Sequence, residues 1–97
     1  MKQGYVYIVS NKNRTVLYIG VTSNLEQRVY QHKNKLLDGF SKKYNCLDLL
    51  WWQQSDSIGS AIAREKQLKG WTRRKKESLI RLVNPEFKDL GLGLFGE

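Results

Sequence analysis

Gly4-Tyr5-Val6-Tyr7-Ile8-Val9-Ser10, Asn11-Lys12-Asn13-Arg14 and Val16-Leu17-Tyr18-Ile19-Gly20 together decide the fold. Two β-branched and aromatic runs flank a polar, turn-forming stretch, which predicts an antiparallel hairpin with a loop of about five residues. Gly20 ends the second strand. Downstream, Ser23-Asn24-Leu25-Glu26 fits a capping box, with Ser23 as N-cap and Glu26 reaching back. The helix it opens is expected to run to about residue 36, with Leu25, Val29 and Leu36 as its apolar stripe and His32 on the same face. Residues 47–53, Leu-Asp-Leu-Leu-Trp-Trp-Gln, read as a third strand. Asp56 or Ser57 opens a second helix to about Leu68, with Ile58, Ala61 and Ile62 turned inward and Gly70 closing it as a left-handed residue. Thr72 caps a third helix with the stripe Lys76, Leu79, Ile80 and Val83, and Asn84-Pro85 stops it, because a residue before proline avoids the helical region. The order predicts an α+β domain: a three-stranded, mostly antiparallel sheet with an N-terminal hairpin, flanked by about three helices.

Composition narrows the function classes. A chain of 97 residues holds one domain and leaves no room for a separate nucleic-acid-reading domain. Its 40% apolar and 11% aromatic content belongs to a packed globule rather than a disordered tail. One cysteine, Cys46, and one histidine, His32, exclude an internal disulfide and the usual Cys/His zinc site. Cys46 is expected to serve as a small core hydrophobe. No apolar run approaches the roughly 20 residues a bilayer span needs, and Met1-Lys2-Gln3-Gly4-Tyr5 lacks the pattern of a signal peptide, so a cytoplasmic protein is expected. Seventeen Lys and Arg against nine Asp and Glu give a net charge of +8, an excess that attracts polyanions. Nucleic acid is the default partner. A membrane surface fits less well, because the basic residues do not share one amphipathic helix with a bulky aromatic face.

A few residues sit oddly for a plain core. Glu65 falls about 20° from Ile58 and about 60° from Ile62 around the second helix, in the middle of its inward face. A carboxylate there must pair with a cation, either a nearby arginine or a hard metal ion such as Mg²⁺. Arg28 and His32, four apart, are neighbours on the first helix. A lone histidine on an apolar stripe is commonly a satisfied core residue, but an inward guanidinium beside it calls for an anion. Tyr5 and Tyr7 share a face of the first strand, and Tyr18 lies on the paired strand. Arg64 to Lys76 holds seven basic residues and one acid, Glu65, with Trp71 and Thr72 among them. That composition suits either a solvated face or a strip that tracks a nucleic-acid backbone.

Taken together, Tyr5-Val6-Tyr7, Tyr18-Ile19-Gly20, Arg28 and His32 on one helix, and Arg64-Glu65-Lys66-Gln67-Leu68-Lys69 resemble the GIY-YIG nuclease family. Within it, the chain is similar to small stand-alone bacterial members related to the nuclease domain of the excision-repair enzyme. The resemblance covers Gly4 to about Leu90. It implies a nuclease domain over residues 1–90 followed by a short tail over 91–97. It also implies a metal-dependent endonuclease acting on DNA with one Mg²⁺ or Mn²⁺ ion, in a DNA repair setting.

The roles that follow from the resemblance are specific. Tyr7 would be the general base or the group that orients water, with Tyr18 hydrogen-bonding water or phosphate beside it. Arg28 would hold the scissile phosphate, and His32 would assist proton transfer. Glu65 would be the single acidic metal ligand. Arg64, Lys66, Lys69, Arg73, Arg74 and Lys75 would contact nucleic acid, and Asn84 matches an asparagine near the end of the family's catalytic domain. The chain departs from the family in reading Tyr-Val-Tyr for Gly-Ile-Tyr and in placing Val21 where some members have a lysine. With no reader domain, recognition of branched or structured DNA is expected rather than base readout. Two other readings compete: a nucleic-acid-binding module of the same fold without catalysis, and an adaptor that uses Gly91-Leu-Gly-Leu-Phe-Gly96 as a docking peptide.

Overall fold

A computed structural model describes residues 3–91. Strand β1 (Gly4–Ser10) lies between β2 (Leu17–Thr22) and β3 (Asp48–Ser55), antiparallel to both, in the order β2-β1-β3. The expected hairpin and the expected α+β class are therefore present. Its turn is built by Asn11, whose side-chain oxygen accepts from the backbone N–H of Thr15 and Val16, while Arg14 takes the left-handed conformation at φ 59°. The Arg14 guanidinium donates to Asp48 at 2.7 Å and to the Phe87 carbonyl at 3.1 Å, which ties the hairpin to β3 and to the segment around Phe87.

Alternation along β1 feeds two cores. Val6 and Ile8 join Ile19, Leu50, Trp51, Ala61, Leu68 and Ile80 on one face. Tyr7 and Val9 join Leu25, Val29, Cys46 and Leu49 on the other. Helix α1 (Leu25–Lys33) covers the Tyr7 face, and α3 (Ile58–Lys69) with α4 (Arg73–Val83) covers the Val6 face. A short helix, α2 (Phe40–Lys43), lies between α1 and β3 in the chain. Burying a side chain of Leu, Ile or Val size contributes roughly 1.5–3 kcal/mol, so the two clusters account for most of what holds the sheet between its helices.

Several local expectations are corrected. Asn24, not Ser23, caps α1, accepting from Gln27 N–H at 3.1 Å; the adjacent residues are both competent caps, and the chain uses the second. The helix ends at Lys33 rather than near 36, because Asn34 caps it and Lys35 turns left-handed at φ 55°. Leu36, beyond that turn, is exposed. Helix α2 brings the helices among the described residues to four, and a single helical turn leaves no periodic signal to find.

Ser57 opens α3 and accepts from Ser60 N–H, as one of the two expected caps. Ile62 is nevertheless exposed, since Ala61 and Leu68 take the contact with the sheet. Gly70 is right-handed at φ −81°, not left-handed. Thr72 caps α4 as expected, accepting from Lys75 N–H, whereas Val83 is exposed at the helix end and only Ile80 of the expected stripe is fully buried. Cys46 is a buried free thiol, as expected of a core hydrophobe, and burial pushes its pKa up. No helix among the described residues is long and apolar enough to cross a membrane. The stretch considered as a docking peptide lies, apart from Gly91, outside the described residues.

Candidate active site

Tyr7 anchors the site from the middle of the central strand. It is fully buried, and its hydroxyl lies 2.8 Å from Nε2 of His32 on α1. Gly20 on β2 is its cross-strand partner, and a Cβ at Gly20 would overlap the Tyr7 hydroxyl and ring. The glycine is thus required by close approach: the phenol passes over the strand where a side chain would otherwise stand. Replacing Gly20 with alanine should displace the ring and cost about 1–3 kcal/mol, the usual range for overpacking a core. Thermal unfolding of the Gly20→Ala protein against the unaltered chain measures it, and equal melting temperatures would refute the packing role.

The other residues gather around this phenol. The Tyr7 and His32 rings are 5.3 Å apart, and Tyr18 from β2 lies 5.8 Å from His32. Arg28 stands one turn before His32 on α1, with its guanidinium 3.5 Å from the Val21 carbonyl. Burial drives the Tyr7 pKa up to about 12; the nearby Arg28 guanidinium opposes that rise, and Tyr18 and Glu65 add to it. Glu65 therefore acts on the same phenol from α3, a helix of the opposite layer. Its side chain is 20% exposed and pairs with Lys69 at 3.3 Å, one helical turn on, rather than with an arginine. The structure thus groups Tyr7, Tyr18, Arg28 and His32, while Glu65, on α3, is near enough for its charge to raise the Tyr7 pKa slightly.

Burial outweighs Arg28, so Tyr7 is neutral across the ordinary pH range. His32 is also neutral: burial, then the charge of Arg28, brings its pKa down to about 4, and its Nδ1 is buried with no hydrogen-bond partner among the described residues. The sign of the linkage follows. Unfolded His32 binds a proton near its ordinary pKa of 6.5 while the folded ring resists down to about 4, so stability is full above 6.5 and falls between those values. The gap corresponds to about 3 kcal/mol. Urea unfolding at neutral pH and near pH 4.5 should show the unaltered chain losing more stability than His32→Gln. Equal losses would mean that His32 is not held neutral.

No group of three or more His, Cys, Asp or Glu residues able to hold a metal occurs among the described residues. Glu65 alone fits a hard cation of the Mg²⁺ kind, which commonly takes one or two carboxylates and completes its shell with water and phosphate oxygen. Its half-buried carboxylate has only a flexible lysine to give up.

The basic residues predicted for nucleic-acid contact divide into two groups. Lys66 and Arg74 are exposed, with no ion pair among the described residues. Arg64 and Lys75 flank the Trp71 ring at 5.4 and 5.1 Å, and Arg64 also bonds Gln53 and Gln67. Lys69 holds Glu65. Arg73 is instead taken up by the fold, bonding Glu77 and the carbonyls of Arg14 and Thr15, so it clamps α4 to the hairpin turn. Asn84 is likewise turned inward. It is 4% exposed, donates to the carbonyls of Leu50 and Lys88 at 3.0 and 2.8 Å, and accepts from Lys88 N–H. Its position before a proline marked a helix end correctly, but its amide closes the last loop rather than facing a ligand.

A three-layer domain carrying two hairpin tyrosines, a helical Arg-x-x-x-His pair and one acid on the facing helix defines a class. The chain belongs to the GIY-YIG family: residues 3–78 match the GIY-YIG catalytic domain, which places it in a nuclease superfamily whose substrates are nucleic acids. Within that family it is similar to UPF0213 proteins. One from Syntrophus aciditrophicus is 34% identical over 87 residues, 89% of this chain and 98% of its own length. Another, from Staphylococcus saprophyticus, is 31% identical over 80 residues, 82% of this chain and 96% of its own. The solution NMR structure of a UPF0213 protein from Bacillus halodurans superposes with a TM-score of 0.57 at 25% identity, covering 90% of this chain and 92% of that one.

Proposed function

We propose that this protein is a divalent-metal-dependent endonuclease that hydrolyses DNA phosphodiester bonds and selects DNA by structure rather than by sequence. The observation that carries the reading is the buried contact of the Tyr7 phenol with His32, with Tyr18 and the Arg28 guanidinium beside it. Hydrolysis needs a water in line with the leaving oxygen, a path for its proton and positive charge on the phosphoryl oxygens. Arg28 supplies a fixed cation for those oxygens. The Tyr7 hydroxyl orients the water and takes its proton as its own passes to Nε2 of His32, along the 2.8 Å contact between them.

In the free protein that transfer is uphill, since the phenol sits near 12 and the imidazole near 4. A bound phosphodiester changes the balance. Its negative charge pairs with Arg28 and so relieves the smaller of the two effects that keep His32 neutral, burial being the larger. Tyr18 hydrogen-bonds the phosphate or the water from the neighbouring strand. A Mg²⁺ or Mn²⁺ ion held by Glu65 would supply charge to the phosphoryl and leaving oxygens. Lys66, Arg74, Arg64 and Lys75 serve the backbone of the duplex, an attraction that salt weakens.

One observation favours a second reading, a nucleic-acid-binding module of this fold without catalysis: a phenol near pKa 12 is a weak base at neutral pH. Cleavage and binding measured together on linear, branched and flapped DNA separate the two. The nuclease reading expects products with Mg²⁺ or Mn²⁺ and none with EDTA. Saturable binding with no product under either metal would overturn it in favour of the module.

A further inference from the structure

The aromatic side chains do not stop at the site. Tyr18, 5.8 Å from His32, stacks nearly parallel on Phe40 of α2, with ring centroids 6.0 Å apart and planes 22° from parallel. Phe40 in turn lies 4.6 Å from Tyr44. The series thus runs from the Tyr7–His32 pair out to the surface, where Phe40 and Tyr44 are 48% and 41% exposed. Two large rings left open to water on a small protein mark an interaction surface rather than a core.

The platform is held rigidly. Gly39, at φ 107°, starts the turn; Tyr44 N–H bonds the Phe40 carbonyl; the carbonyl of buried Ser41 accepts from Cys46 N–H and ties the turn to the segment that leads into β3. Cations border it: Lys43 lies 5.4 Å from the Tyr44 ring, and exposed Lys42 pairs at 3.5 Å with exposed Asp38. Flat rings edged with lysines, beside residues assigned to a phosphate, are the composition that holds unpaired bases. Any base offers a π-face to stack, and the lysines meet its backbone. A paired base within a duplex has both faces already stacked and cannot use such a surface.

We propose that Phe40 and Tyr44 form a stacking platform for an unpaired nucleobase flanking the scissile phosphate, which makes single-stranded and flapped DNA the preferred substrates. The position of that phosphate rests on the nuclease reading above; the stacking itself does not.

The test is equilibrium binding of the full chain in EDTA to a short single strand and a flapped duplex carrying 2-aminopurine, and to a fully paired duplex of equal length. Stacking should quench the 2-aminopurine fluorescence. Phe40→Ala or Tyr44→Leu should abolish the quenching and weaken single-strand and flap binding about tenfold, with duplex affinity within about twofold. Phe40→Trp, which keeps a ring, should retain both. Unquenched probe, or an equal loss of affinity for all three DNAs in variants with unchanged melting temperature, would overturn the proposal. Quenching that follows this pattern without cleavage in Mg²⁺ would leave the platform standing and remove the nuclease reading. Cleavage with binding indifferent to Phe40 and Tyr44 would do the reverse.

Discussion

Glu65→Ala should lower DNA cleavage by at least about a thousandfold while leaving the fold and DNA binding intact. A metal bound at a phosphoryl oxygen supplies several kcal/mol of charge stabilisation, and each 1.4 kcal/mol is a factor of ten in rate. Losing its only carboxylate ligand removes most of that. The structural cost is small, because among the described residues the carboxylate pairs only with Lys69, in an i,i+4 contact whose lysine is about half open to water. The same change deletes a negative charge beside the proposed phosphate position, so DNA affinity should hold or rise. Single-turnover cleavage, a melting curve and a binding isotherm check the three parts separately. Undiminished cutting by Glu65→Ala would end the metal role.

Tyr7→Phe carries the second large effect, a loss of about 10²–10⁴ in the cleavage rate, the range a positioned general acid–base group supplies. Phenylalanine keeps the ring between Gly20 and the core but leaves Nε2 of His32 unpaired beside an Nδ1 already without a partner. A buried group orphaned in this way costs roughly 1–3 kcal/mol, so melting must be followed alongside rate. The pH profile distinguishes chemistry from packing. If Tyr7 passes its proton to neutral His32, the rate falls as acid protonates His32, whose pKa is about 4 in the free protein, and the Phe variant loses that fall. A stable Tyr7→Phe protein with an unchanged rate would remove Tyr7 from the chemistry.

Most of the architecture was legible from local patterns because it is locally caused. The alternation in Gly4–Ser10 and Leu17–Thr22, with Asn11 as turn builder, leads directly to the hairpin. Ser57 and Thr72 do the capping that their side chains allow. What could not be read depends on which face of a helix meets a sheet only three strands wide. Ile62 and Val83 look inward by periodicity and end up exposed, because Ala61, Leu68 and Ile80 already fill the available contact.

For the site, the family resemblance named five candidates, whereas their energetics did not follow from it. How deeply Tyr7 is buried, and hence the direction of its pKa, is set by Gly20 and α1 together, a tertiary fact. The inward turn of Asn84 and the clamp made by Arg73 are likewise partnerships across 34 and 59 residues of chain, respectively, beyond any local signal. Phe40 and Tyr44 did carry a hint, two aromatic residues four apart, but only the turn between them makes that spacing meaningful.

The central strand is buried on both faces from Val6 to Ser10 and hydrogen-bonded along both edges. Such a strand behaves as a keyed shaft. Sliding it by a single residue would exchange Tyr7 with Ile8, aiming the phenol at α3 and an alkyl chain at His32. Length changes can therefore be absorbed at the Asn11–Thr15 turn or between α1 and α2, but not within β1. The Tyr7 phenol keeps its position because the sheet is built on both sides of the segment that carries it.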